Sequence, residues 1–143
     1  MNGHKIENEG RKFLFNLSSG CNLKVDGTVQ GSGITAKNNN VPVIFNMAGG
    51  ALTIDGGKYA SFKDIVDIGD SSKDAKLEIN DGHFQVAAPD CGILHSQSRE
   101  SSNPSNIHIN GGTFVSEGFV WTTTDFDKSE GVVNGGCFYS KEE

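Results

Sequence analysis

A chain of 143 residues with 19 Gly, 35% hydrophobic residues and a formal charge of −6 fits one domain with a thin, turn-rich core. Its acidic balance and its sparse arginines, Arg11 and Arg99 alone, exclude a basic nucleic-acid surface. No apolar run reaches the about 18 residues that a membrane helix needs, and Met1 to Glu9 lacks the apolar stretch of a secretory leader.

In chain order, residues 1–12 read as a polar arm or a cap on the first coil, residues 13–139 as one repeating domain and residues 140–143 as a tail. Phe13 to Leu17 opens the apolar pattern, and Leu23 to Val29 (Leu-Lys-Val-Asp-Gly-Thr-Val) follows it. After a polar loop at Lys37 to Asn40 come Val43 to Met47 and then Leu52 to Tyr59 (Leu-Thr-Ile-Asp-Gly-Gly-Lys-Tyr). Asp64 to Ile68 precedes a second polar loop, Asp70 to Lys76, and the next copy, Leu77 to Phe84 (Leu-Glu-Ile-Asn-Asp-Gly-His-Phe). Gly92 to Ser96 leads through a loop at Gln97 to Asn106 into Ile107 to Phe114 (Ile-His-Ile-Asn-Gly-Gly-Thr-Phe). Phe119 to Thr123 and a last copy at Val132 to Phe138 (Val-Val-Asn-Gly-Gly-Cys-Phe) complete the series.

The anchors of the repeated phrase are Asp26, Asp55, Asn80, Asn110 and Asn134, at steps of 29, 25, 30 and 24 residues. Helical solenoids need roughly 33 to 47 residues per repeat, so this period is short for them. What recurs is two-residue alternation, a Gly turn and an aromatic, which means a strand, a corner and another strand. With the second aligned block (Phe13 to Leu17, Val43 to Met47, Asp64 to Ile68, Gly92 to Ser96, Phe119 to Thr123) each repeat holds three short strands.

The predicted fold is all-β: a single-stranded right-handed parallel β-helix of about five coils, stacked to about 24 Å at the inter-strand spacing. Asn-Gly and Asp-Gly also signal hairpin turns, and an antiparallel sandwich is the rival. A sandwich does not need the same residue type at the same place in every copy. In stacked coils like packs on like, so the five anchors predict a hydrogen-bonded corner ladder. Tyr59, Phe84, Phe114 and Phe138 predict an aromatic core column that starts at Val29, beside an aliphatic face of Leu52, Ile54, Leu77, Ile79, Ile107 and Ile109.

These Asn-Gly-Gly-x-Phe coils, from about Phe13 to Tyr139, resemble the parallel β-helices of the broad pectate-lyase-like type. More narrowly, they are similar to coils of phage proteins and gut-bacterial surface proteins. The resemblance implies the fold, which hosts lyases, hydrolases, adhesins and fibres. Lyases of that type gather carboxylates around Ca²⁺, and the hydrolases gather Asp residues on one sheet. Here Asp67 aligns with Asn46 below and His95 above and stands alone. Asp64, Asp67 and Asp70 lie on one strand and its exit, with strand or loop left open for Asp64 and Asp70, and Arg99 lies in a loop one coil on. No catalytic cluster is expected, only an acidic solvated face.

His83, His95 and His108 share no column, and His108 beside Glu78 reads as an ordinary surface pair, so no metal or other cofactor is expected. Cys21, Cys91 and Cys137 also occupy different repeat positions, which argues against a disulfide framework. A flat Thr array of the ice-binding kind needs Thr in coil after coil, and the run Thr122 to Thr124 is confined to one.

In the second block Leu14, Ile44, Ile65, Ile93 and Val120 form one column, and Phe15, Phe45, Val66, Leu94 and Trp121 the next. Neighbours on a strand face opposite ways, so the Phe15 column is assigned to the core and the Leu14 column to the surface. An outward aliphatic stripe suggests a protein contact, and the expectation is a homo-oligomer, by analogy with phage spikes a trimer. The overall expectation is a non-enzymatic structural or attachment module. Its setting would be a virion, as a capsid decoration or fibre protein touching other virion proteins. The alternatives are a polysaccharide-binding module at the cell surface or outside the cell, with Arg99 and Tyr139 as candidate ligand-loop residues, and a polysaccharide lyase or hydrolase.

Overall fold

A computed structural model describes residues 1–10, 12–39, 43–69, 75–96, 105–123 and 129–141. They form strands β1 (Lys5–Asn8), β2 (Phe15–Leu17), β3 (Asn22–Asp26), β4 (Gly33–Ala36), β5 (Val43–Met47), β6 (Ala51–Ser61) and β7 (Asp64–Ile68). The series continues with β8 (Lys76–Val86), β9 (Gly92–Ser96), β10 (Ser105–Ile109), β11 (Thr113–Ser116), β12 (Phe119–Thr123), β13 (Ser129–Val133) and β14 (Cys137–Ser140). Every pairing is parallel and joins strands of successive turns, so the chain is an all-β parallel solenoid of about four turns.

The described strands make two sheets. One has nine strands along the path β1-β4-β6-β8-β10-β13, with β3, β11 and β14 attached; the other has five in the order β12-β9-β7-β5-β2. Alternation decides which side chains go in. On β8, Leu77 and Ile79 are buried while Lys76 and Glu78 face water; past the corner, Phe84 and Val86 are buried while His83 and Gln85 are exposed. The corner itself needs Gly. Gly112 holds φ at +110°, and a Cβ on Gly111 would stand 2.7 Å from the Asn80 carbonyl oxygen one turn below. Coils stacked this closely leave no room for a side chain there.

Two expectations about columns are corrected. Val29 does not begin the aromatic column: it lies in the turn between β3 and β4 and is 48% exposed. Ile34, paired with Tyr59, takes that place. The first copy thus keeps its strand before the corner but reaches its next strand only after the turn through Ser32, and the stack has about four turns where about five coils were expected.

The Leu14 column is not an outward stripe. Ile44, Ile65 and Ile93 are 0%, 0% and 1% exposed and belong to the same core cluster as Phe45, Val66 and Leu94; Leu14 and Val120 are partly buried against that cluster. The pairing of β5 with β7 runs from Val43–Asp64 to Phe45–Val66 and skips Ile44 and Ile65. Strict alternation fails at this step, and two successive side chains enter the core where a straight strand would admit one. The Phe15 column does face inward, with Trp121 partly buried and packed on the core.

Candidate functional site

Two columns of like residues define the corner. Tyr59, Phe84, Phe114 and Phe138 stack with ring centroids 4.9, 4.9 and 4.8 Å apart and planes within 9° of parallel. The spacing is the inter-strand distance, so each ring sits directly over the one below. Beside them runs the side-chain ladder. Asn134 Nδ2 donates to Asn110 Oδ1 (2.8 Å), Asn110 Nδ2 to Asn80 Oδ1 (2.7 Å) and Asn80 Nδ2 to Asp55 Oδ1 (2.7 Å).

Asp55 terminates the ladder because Asp26 cannot continue it. An ionised carboxylate only accepts hydrogen bonds, so two stacked Asp residues have nothing to share. Asp26 instead accepts from the Thr28 N–H and hydroxyl (3.1 and 2.7 Å), and Lys24 Nζ lies 2.7 Å from Asp55 Oδ2. The Lys24 ammonium, then the Asn80 amide, hold the Asp55 carboxyl below its usual range. This charge also sets the polarity of the whole column: Asn80 must donate downward to Asp55, so its oxygen points up, and the same constraint passes to Asn110 and Asn134.

Of the sequence-predicted acidic groups, Asp67 pairs in register with Asn46 and His95. Asp64 opens β7, in the strand block expected for it, with Oδ1 accepting from the Gly92 N–H at 2.8 Å. Its Oδ2 lies 3.7 Å from His95 Nδ1, which is also 3.6 Å from Asp67 Oδ1. Burial pushes the Asp64 carboxyl up, against the opposing pull of the Gly92 N–H. The sequence reading missed this Asp64–His95–Asp67 grouping because it compared columns, and Asp64 reaches His95 diagonally from three residues before Asp67. At these distances neither His95–carboxylate contact is a hydrogen bond, so the grouping is a charge cluster on the sheet, with Asp64 Oδ1 held by the Gly92 N–H. Asp70 and Arg99 lie outside the described residues.

His108 pairs in register with Glu78, and both line a shallow surface depression of about 370 Å³ with Thr53, Lys76 and Asn106. His83 is exposed. Among the described residues no group of three or more His, Cys, Asp or Glu is placed to hold a metal ion. Cys21, Cys91 and Cys137 are unbridged, and burial pushes the Cys91 thiol up to about 11.

The two ends of the solenoid differ. At the first turn Met1 is partly buried against the core and its amino group donates to the Asp26 carbonyl. At the last turn Phe138, Val132 and Val133 are 42%, 46% and 51% exposed. A cleft of about 270 Å³ there opens between the sheets, lined by Ile79, Leu94, Ile109, Phe114, Val120, Trp121, Val133 and Phe138. Trp121 leans across this end: a Cβ on Gly131 would stand 2.0 Å from its ring. Gly131 occupies the column held by Leu52, Leu77 and Ile107 below, so the indole fills the volume that an aliphatic residue fills in earlier turns. Tyr139, on β14, is 61% exposed.

The fold and these columns define the class as parallel β-solenoid. No known protein family, curated protein or solved structure matches the chain.

Proposed function

We propose that the chain is a structural or attachment module, a rigid rod that acts through surface and end contacts and carries out no chemistry of its own. The observation that supports this is the pair of continuous columns, four stacked rings and a four-member side-chain ladder, running through successive turns. Such columns commit their polar and aromatic groups to holding turns in register. The similarity of the Asn-Gly-Gly-x-Phe coils to phage and gut-bacterial surface proteins motivates a virion setting, as a decoration or fibre component. The side-on trimer contact expected at the Leu14 to Val120 column loses its surface, since the central members are core. Incubation with pectin-like and neutral polysaccharides is expected to release no unsaturated or reducing ends. Turnover abolished by Asp64→Asn or Asp67→Asn would overturn the reading in favour of a lyase or hydrolase.

A polysaccharide-binding role is the second reading, favoured by the exposure of Tyr139, whose ring offers a stacking face for a sugar. A glycan-array signal lost in Tyr139→Ala would support it.

A further inference from the structure

The outward face of the strands after the corner carries a column of cations with a gap in it. Lys5, Gly33, Lys58 and His83 stand one above another in register across β1, β4, β6 and β8. Close stacking forces the gap, because a Cβ on Gly33 would stand 2.6 Å from the Lys58 carbonyl oxygen. The neighbouring outward column is also small in its middle, with Thr35 and Ala60 between Glu7 and Gln85. These small residues floor a depression of about 390 Å³ walled by Lys5, Glu7, Lys58, His83 and Gln85.

The cations of this depression are unspent. Lys24, Lys37 and Lys141 each contact a carboxylate of a neighbouring turn. Lys5, Lys58 and His83 have no such partner among the described residues. Glu7, the acidic side chain of the wall, is engaged by Lys37 Nζ at 2.6 Å. Two uncompensated ammonium groups and an imidazole therefore share one hollow in a chain of net charge −6.

So few cations cannot track a nucleic-acid backbone, which takes an extended basic face. They suit a single small anionic group. Lys5 and Lys58 stand two layers apart, about 9–10 Å at the inter-strand spacing, and their flexible stems reach over Gly33 from opposite sides. Thr35 and Gln85 add a hydroxyl and an amide from the second column. Donors converging from several directions match the oxygens of a tetrahedral oxoanion. A planar carboxylate is better served by the arginine fork, and no arginine is among the described lining residues.

We propose that this depression binds a sulfate or phosphate group, clamped over Gly33 between the Lys5 and Lys58 ammonium groups. The shared chemistry is the oxoanion, carried either by the free ion or by an ester on a sugar chain. The inference goes beyond the structural-module reading, and polysaccharide turnover tests that reading separately.

The test records proton–nitrogen correlation spectra of the full chain at fixed pH, adding sodium sulfate or phosphate against sodium chloride of equal ionic strength. Saturable shifts of the Gly33 and Thr35 amides and of the His83 ring are expected with the oxoanions alone, while the His108 ring stays still. Lys58→Gln is expected to weaken binding about tenfold, the loss of one charge-assisted contact. Lys76→Gln, which removes the same charge before the corner, is expected to leave it unchanged. Both positions are exposed, and circular dichroism checks that both variants fold. Dextran sulfate distinguishes the sources: tighter binding per sulfate than the inorganic ion supports an ester on a sugar chain, and equal binding supports the free ion. Shifts that chloride reproduces, shifts that never saturate, or equal binding by Lys58→Gln and Lys76→Gln would each overturn the inference.

Discussion

The ladder makes the same substitution cost different amounts at different rungs, and Asn80→Asp is the informative case. Asn80 Nδ2 donates to the Asp55 carboxylate at 2.7 Å. Replacing the amide removes a hydrogen bond to a charged group, about 1.5–3 kcal/mol, and sets two carboxylates in contact. At about 4 Å and an effective dielectric near 20 the repulsion is about 4 kcal/mol. That is a ceiling, because the Asp55 side chain is 20% exposed and Lys24 lies beside it. A loss of about 3–5 kcal/mol at neutral pH follows from the two contributions after this screening. Asn110→Asp loses one neutral bond to Asn80, about 0.5–1.5 kcal/mol, and a longer 3.4 Å bond to Glu78. The new carboxylate faces Glu78 only where both are exposed and screened, and part of the loss is recovered because Asn134 then donates to a charge.

The pH dependence has opposite signs in the two proteins. In the wild type the Asp55 carboxyl is held low, so its contribution is present above the unfolded value and is lost as pH falls through the folded value. In Asn80→Asp the paired carboxyls share a proton, which raises a folded value above the unfolded one. The penalty is then full at neutral pH and shrinks on acidification. Urea unfolding followed by Trp121 fluorescence and far-UV circular dichroism, at about pH 7 and about pH 4.5 near the carboxylate range, reads both effects. Two results would refute this account: Asn80→Asp costing no more than Asn110→Asp, or a gap between Asn80→Asp and wild type that does not narrow at the lower pH.

Phe114→Ala removes a buried ring stacked on both faces and is expected to cost about 3–5 kcal/mol, read by the same urea transition; a loss under about 1 kcal/mol would mean that the column closes over the gap. Ile65→Asp places a carboxylate at a position 0% exposed in the core, so the expected outcome is loss of the folded state in circular dichroism, with several kcal/mol of penalty or a neutralised Asp. A folded, soluble Ile65→Asp protein would restore the outward assignment of that column. Thiol labelling with iodoacetamide near pH 8 should modify the exposed Cys21 and Cys137 quickly and Cys91 slowly, since the Cys91 thiol is pushed up to about 11 and little thiolate forms. Peptide mapping over time checks the order, and early labelling of Cys91 would contradict it.

What the sequence determined by itself is the architecture and the contents of the corner. A Gly turn followed by an aromatic at a steady period means stacked strands, and stacking puts Asn80 over Asp55 and Phe84 over Tyr59 without further information. What only the tertiary structure decided lies where stacking and alternation are not enough. Alternation assigned Ile44, Ile65 and Ile93 to the surface, yet two consecutive side chains go inside at this step of the strand. Column logic placed Asp26 in the ladder, but two carboxylates cannot bond, and Lys24 takes the contact with Asp55. Column logic also missed the diagonal approach of Asp64 to His95. The exchange between Gly131 and Trp121, across the interior and from different sheets, leaves no periodic trace in the sequence. Periodicity reports which residues repeat along one column, whereas contacts across columns depend on where each coil bends, and bending is settled only when all the coils pack together.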